Sequence, residues 1–257
     1  MTPEIGKSLT LGAVLTPRFI PGMSFTVDYY RIRVNNLIAN LGAQTILNQC
    51  VDLPTINNPY CASTFPRNPE GSFPTPALIA SGINFAKQKA DGIDFELAYR
   101  KTFANGHKFD FHGILTKVVR RINFTSPTNP AFGERIESEL GDPAYAANAS
   151  VGYQANKLGI RYSVNYFSHQ TIGAYENYFS FEGRPAQNAD LTAEIYYPSA
   201  LYHAVKVTFD ATKKFQFYVG VDNLFNKKPP FGLVGNEGGN PYDPFGWYMY
   251  AGAKVDF

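Results

Sequence analysis

Apolar and polar residues alternate with a period of two along most of this 257-residue chain, while the 3.6-residue repeat of an amphipathic helix is almost absent. That pattern predicts strands with one apolar and one polar face. In the last eleven residues Trp247, Met249, Ala251, Ala253, Val255 and Phe257 share one face, and Tyr248, Tyr250, Gly252, Lys254 and Asp256 the other. The same alternation runs through 215–222, through Val205, Val207 and Phe209, and through Leu158, Ile160, Tyr162, Val164 and Tyr166. It recurs in Ile93, Phe95, Leu97 and Tyr99, in Leu9, Leu11, Ala13 and Leu15, and in Phe25, Val27 and Tyr29. Two further strands, over roughly 108–122 and 145–156, bring the expected number to about nine. Near residues 29–34 the alternation shifts phase, which predicts a bulge or a strand running past the apolar zone.

The connections sort by length. Short turns are expected near 17–22, 104–107, 156–157 and 212–214, and long loops near 39–88, 123–144, 173–199 and 227–246. Short and long alternate strictly, so all long loops emerge at one end. A transmembrane antiparallel β-barrel, with short periplasmic turns and long extracellular loops, has this asymmetry. The competing all-β fold is a soluble β-sandwich acting as a binding module, whose apolar faces would pack on each other.

Composition sharpens this picture. Hydrophobic residues make up 44%, aromatics 15% and charged residues 17%, the last against roughly 25% in ordinary soluble domains. A net charge of +2 gives no basic stripe, so no nucleic-acid partner is expected. The mean hydropathy of −0.22 is that of a soluble protein, but alternating lipid-facing and lumen-facing residues average to such a value. No apolar run is long enough for a membrane-spanning helix, and no signal-peptide pattern opens the chain.

Candidate chemistry is sparse. His107 and His112, five apart on one strand, face opposite sides and cannot share a metal; His169 and His203 have no nearby ligand partner. No nucleophile elbow, phosphate loop or paired-carboxylate motif is present, so neither an enzyme nor a cofactor is expected. The glycine-rich stretch 235–240 reads as a loop tip. The acidic run 133–142 is expected to be a solvated loop, with a Ca²⁺ site as the functional alternative. Arg120 and Arg121 read as a solubilising pair, or as a contact for an anionic ligand or lipopolysaccharide phosphate. Tyr29, Tyr99, Phe109, Tyr166, Phe215 and Trp247 fall near expected strand ends, where they would form the interfacial aromatic girdles.

Four stretches carry a family resemblance. Residues 221–229, with Asn223, Leu224 and Phe225, resemble the penultimate-strand signature of TonB-dependent outer-membrane receptors. Residues 250–257, with Gly252, Val255 and Phe257, resemble the C-terminal signal by which outer-membrane barrels engage the barrel assembly machinery. Residues 50–99 resemble a cysteine-bearing loop and the strand after it, and Pro3-Glu4 resembles the start of a mid-barrel strand. The resemblance implies a Gram-negative outer-membrane location with contact to lipid. It further implies a disulfide between Cys50 and Cys61, formed in an oxidising periplasm. The implied function is energised uptake of a scarce nutrient: a siderophore, haem, cobalamin or an oligosaccharide.

Family members also carry an N-terminal plug, an energy-coupling box and a barrel of about 22 strands, roughly twice this length. Residues 1–257 are therefore expected to be the C-terminal portion of such a barrel, without plug or signal peptide and not competent for transport alone. A plug-bearing N-terminal part or self-association would complete it. The other expectation is a passive pore or structural barrel formed by oligomerisation.

Overall fold

The computed structural model describes residues 2–80, 82–126, 129, 131–230 and 241–255. Among the described residues, twelve strands follow in the order β1 (Ile5–Leu15), β2 (Met23–Asn40), β3 (Gly82–Thr102), β4 (Lys108–Phe124), β5 (Glu134–Arg135), β6 (Tyr145–Ala155), β7 (Leu158–Phe167), β8 (Gln170–Thr171), β9 (Tyr196–Tyr197), β10 (Ala200–Asp210), β11 (Phe215–Asp222) and β12 (Tyr248–Val255). Two short helices, α1 (Ala43–Asp52) and α2 (Tyr175–Tyr178), and a 3-10 turn at Cys61–Ser63 lie in the long loops. One sheet has the order β1-β2-β3-β4-β6-β7-β10-β11-β12, with β5 on β4; β8 and β9 pair separately. Among the described residues, β1 and β12 end that order.

The alternation sets the register. Phe109 lies opposite Tyr153, Tyr153 opposite Ile160, Ile160 opposite Val207, Val207 opposite Val219, and Val219 opposite Ala251. One residue along, the series Asp110, Gly152, Arg161, Lys206, Gly220 and Tyr250 crosses the same six strands. A one-residue slip in any pair would mix the two faces, so the pattern specifies the pairing strongly.

The apolar face is uncovered: Phe217, Val219 and Met249 are 51%, 55% and 68% exposed. A β-sandwich would bury them, so the soluble alternative fails, and hydrocarbon is the solvent that suits this face. One expected loop is shorter than the alternation implied, because β2 continues to Asn40 and β3 begins at Gly82. At 18 and 21 residues these strands far exceed the length that crosses hydrocarbon, which takes roughly 9–11 residues. Their outer parts leave the apolar zone, so polar residues no longer alternate with apolar ones there. Asn36, at φ 54°, marks an irregularity in this stretch.

The chain divides into two compact units, residues 1–8, 32–89 and 122–134, and residues 9–31, 90–121 and 135–257. In the first, Glu4 accepts the Ile38 N–H at 2.8 Å, and Asn84 bonds both N and O of Thr2 at 2.7 and 2.8 Å. In the second, the buried apolar cluster lies at the loop end, formed by Phe167, Ile172, Tyr197, Ala200 and Tyr242.

Candidate functional site

The polar face of the second unit is a wall of paired side chains. Arg161 grips Asp110 with both terminal nitrogens, at 2.8 and 3.0 Å, and also reaches Ser150 Oγ at 3.2 Å. Such a two-point guanidinium–carboxylate pair fixes orientation as well as charge. Thr116 donates to Asp94 at 2.6 Å, His112 meets Glu96 at 2.8 Å, and Asn148 bonds Asn165.

Toward the loop end this wall opens into a cavity of about 570 Å³ bordered by Arg161, Asn165, Tyr202, Lys206, Asp222 and Tyr250. Its upper border is built by the turn after β11. Asn223 is buried at φ 49°, a left-handed conformation that Asn tolerates better than most residues. Its amide donates to Lys227 O and Asp243 Oδ2, each at 2.9 Å, while its carbonyl accepts the Lys227 N–H at 2.7 Å. The Leu224 N–H bonds His203 O at 2.8 Å, and Leu224 O accepts the indole N–H of Trp247 at 2.9 Å. Phe225 stays 67% exposed, edge-on to His203. The Asn-Leu-Phe stretch thus pins the chain between β11 and β12.

Above the sheet, segments 135–144 and 168–199 interlock. Thr171 N donates to Ser138 O at 2.6 Å, the Gly141 N–H to Gln170 Oε1 at 2.7 Å, the Tyr175 N–H to Glu139 Oε1 at 2.9 Å, and the Arg135 N–H to Glu176 Oε1 at 2.6 Å. Gln170, Thr171, Glu137 and Glu176 are all buried. The acidic run is therefore not a solvated loop. Glu137 and Glu139 turn inward to accept the backbone N–H groups of Arg121 and Tyr175. Burial pushes the Glu137 carboxyl up, against the pull of the Arg121 N–H and the Arg135 guanidinium. Burial also pushes the Tyr242 phenol up to about 12, with its hydroxyl donating to Pro198 O.

The cap also gathers aromatic rings. Tyr175 lies 4.8 Å from Phe179 and 6.3 Å from Phe181, Phe179 stacks on Tyr196 at 6.1 Å, and His169 meets Tyr196 at 4.6 Å. The Arg135 guanidinium sits 3.9 Å above the Tyr175 ring, and Arg184 lies 5.9 Å from Phe181. Rings beside guanidinium groups suit a flat ligand with anionic character, with Arg135 already paired to Glu137 at 2.7 Å. The sequence missed this platform, whose only signal was the density of Tyr and Phe in 175–197.

The other expected residues lie elsewhere in the sequence and are described each within its own unit. Cys50 and Cys61 form an S–S bond of 2.08 Å in the first unit, where Asn58 braces the loop through the Tyr60 and Cys61 N–H groups. Burial pushes the Tyr60 phenol up. Tyr99 and Phe109 pair at 5.9 Å at the turn end, where Phe215 also lies. Tyr166 and Trp247 lie at the loop end, and Tyr29 sits further inside β2. Gly252 and Val255 are in β12, whereas Phe257 and the 235–240 tip lie outside the described residues. Arg120 pairs with Asp91 at 3.4 Å and Arg121 with Asp142, so each arginine binds a carboxylate of this chain. His107 meets Tyr153 on one face and His112 meets Glu96 on the other. Among the described residues, no cluster of three or more His, Cys, Asp or Glu could hold a metal.

Residues 1–224 match the profile of the family described as TonB dependent receptor-like, beta-barrel. No curated protein matches the chain. Among solved structures, a point-mutant form of the ferric enterobactin receptor PfeA from Pseudomonas aeruginosa is similar, with a TM-score of 0.60 and 18% identity over 99% of this chain and 31% of that one. The siderophore receptor PirA from Acinetobacter baumannii gives 0.60 and 15% over 100% of this chain and 32% of its own. The copper transporter OprC gives 0.55 and 13% over 99% and 32%. The chain thus spans about a third of the length of these structures, and at these identities the likeness is one of fold.

Proposed function

The chain belongs to the TonB-dependent receptor β-barrel family of the Gram-negative outer membrane, and from that premise we propose that it forms wall and loops of a receptor for ferric siderophores carrying flat, anionic chelating groups. The observation that carries this reading is the aromatic platform of Tyr175, Phe179, Phe181 and Tyr196 with Arg135 and Arg184 above its rings. The described residues of the site offer no metal-ligating cluster, so iron would be held by its chelator and the protein would recognise the chelator. From the platform a ligand would pass to the cavity at Arg161, Lys206 and Tyr250, where the polar wall continues its hydrogen bonding. The receptor names carried by PfeA and PirA agree with this class.

We further propose that residues 1–257 supply the C-terminal part of the barrel, that Gly252, Val255 and Phe257 present it to the assembly machinery, and that energised transport needs the plug of the complete receptor. Growth rescue of an uptake-deficient strain by these residues alone would overturn that part. The ligand reading is tested by binding of a radiolabelled ferric catecholate to outer membranes carrying the protein. Phe181→Ala with Tyr196→Ala should weaken binding about tenfold, the loss expected for two aromatic anchors. Unchanged affinity, or equal affinity for an unrelated oligosaccharide, would overturn it.

A further inference from the structure

Near the turns that open β2 and join β3 to β4, the apolar face of the second unit is not flat. Ile20, Met23, Leu97, Tyr99, Phe109 and Phe111 line a concavity of about 380 Å³ there. The Tyr99 and Phe109 rings within it are 5.9 Å apart and tilted by 56°.

Strand alternation decides which charges share this face. Asp94 and Glu96 point to the polar side, where Thr116 donates to Asp94 and His112 meets Glu96. Asp110, on that side too, is held by Arg161. The odd-numbered residues of this part of β3 lie on the opposite face: Leu97, Tyr99 and, at the strand end, Lys101. Lys101 is therefore on the concavity's own face, about 7 Å beyond Tyr99 along the strand. Its ammonium lies 5.3 Å from the centre of the Phe103 ring, which holds it at the level of the turn. Arg18 is exposed two residues before Ile20, in the turn between β1 and β2, and its neighbour Phe19 is 85% exposed. Among the described residues, no carboxylate pairs with either cation, and no acid occurs in 15–23 or 97–109.

An apolar hollow bordered on its own face by cations suits a lipid with an anionic headgroup, because stems lie against apolar groups while charged tips reach phosphate. An acidic polypeptide would meet the cations and leave the hollow bare. A zwitterionic lipid would fill the hollow but bring its own cation to the phosphate. We propose that this concavity seats an anionic glycerophospholipid of the periplasmic leaflet, the side on which such barrels carry their short turns. An acyl chain lies against Leu97, Tyr99, Phe109 and Phe111, and Lys101 and Arg18 hold the phosphate. The proposal rests on the membrane placement of the family and is independent of the ligand class taken up at the loop end.

The test uses the full chain reconstituted in phosphatidylcholine vesicles with traces of spin-labelled phosphatidylglycerol or spin-labelled phosphatidylcholine. Wild type should hold phosphatidylglycerol about tenfold more strongly than phosphatidylcholine, the effect expected of two basic side chains at a membrane surface. R18Q/K101Q should abolish that preference. R18Q alone, confined to an exposed turn, should lower it even if the double variant fails to fold. L97W fills the hollow and keeps both cations, and it should lower the preference too. K213Q/K214Q removes cations from another turn of the same unit and should leave it intact. Full preference in both R18Q and R18Q/K101Q would overturn the proposal. An equal loss in K213Q/K214Q would do so by showing a diffuse field in place of a site. Displacement of the labelled lipid by inorganic phosphate at equal concentration would mark a free-anion site and overturn it. An undiminished preference in L97W would leave the acyl chain no part in binding and overturn it as well.

Discussion

Gly220 lies directly opposite Tyr250 across β11 and β12, so close that a Cβ at position 220 would sit 2.3 Å from the ring's Cζ. Two residues along, the arrangement inverts: Tyr218 lies opposite Gly252, where a Cβ would meet the phenol oxygen at 2.3 Å. Each tyrosine therefore lies flat across the strand beside it, over the gap left by a missing side chain. Lys206 Nζ covers the Tyr218 ring at 4.6 Å. This pair of glycines gives the polar wall its smoothness near the cavity, and it gives Gly252 a packing role beside the assembly role proposed for it.

The two roles separate by mutation. G252A should destabilise the barrel by about 1–3 kcal/mol, the usual cost of overpacking, read from guanidinium unfolding followed at Trp247, the chain's one tryptophan. Y218A should recover most of that loss in G252A/Y218A, because the clash needs both partners. A G252A defect in membrane insertion that Y218A leaves untouched would place the glycine's role in assembly alone.

Asn223 should be among the most sensitive positions at the loop end. N223A removes three side-chain hydrogen bonds and leaves a non-glycine residue at φ 49°, for an expected loss of about 3 kcal/mol. N223G should lose about 1 kcal/mol less, since glycine adopts that backbone freely. Equal losses in the two variants would show that the hydrogen bonds carry the whole effect. Unfolding monitored at Trp247 reads this turn directly, because its indole bonds Leu224 O.

Removing the Cys50–Cys61 bond should act locally. Its two cysteines are separated by 11 residues within the first unit, so C50S/C61S should destabilise that loop by about 3 kcal/mol in the chain-entropy model. Limited proteolysis between residues 41 and 81 should accelerate, while the unfolding transition seen at Trp247 stays in place. A matching shift of the Trp247 transition would show that the loop supports the whole sheet.

Much of the sheet could be read from the residues because its two faces obey one local rule. Val207 must lie beside Ile160 and Val219, and Arg161 beside Lys206, whichever loops join them. The rule lapses where strands leave the apolar zone: Lys87, Gln88 and Lys89 carry no alternation, yet lie within β3. It says still less about the cap. Glu137 falls in the run that reads as solvated, Gln170 and Glu176 carry no apolar signal, and their burial is compensated by hydrogen bonds from Arg121, Gly141 and Arg135. Those partners lie 16, 29 and 41 residues away, a distance over which periodicity carries no information. The aromatic platform was invisible for the same reason, since it is assembled by loop packing.

The cap should tighten as pH falls. Glu137 has only 6% of its side chain exposed, accepts the Arg121 N–H at 2.7 Å and pairs with Arg135 at 2.7 Å. Burial outweighs these two attractions and raises its carboxyl above the ordinary 4.5. An acid whose folded value is raised binds its proton more readily in the folded state, so stability falls as pH rises through the folded value. The contribution is fully present below 4.5 and lost above the raised value. Hydrogen exchange at the Arg121 and Thr171 amides, corrected for intrinsic rates, should therefore slow between neutral pH and the ordinary carboxylate range. E137Q keeps an acceptor for the Arg121 N–H but cannot ionise, so it should remove this pH dependence and leave the cap closed at neutral pH. The same slope in wild type and E137Q would assign the titration to another group.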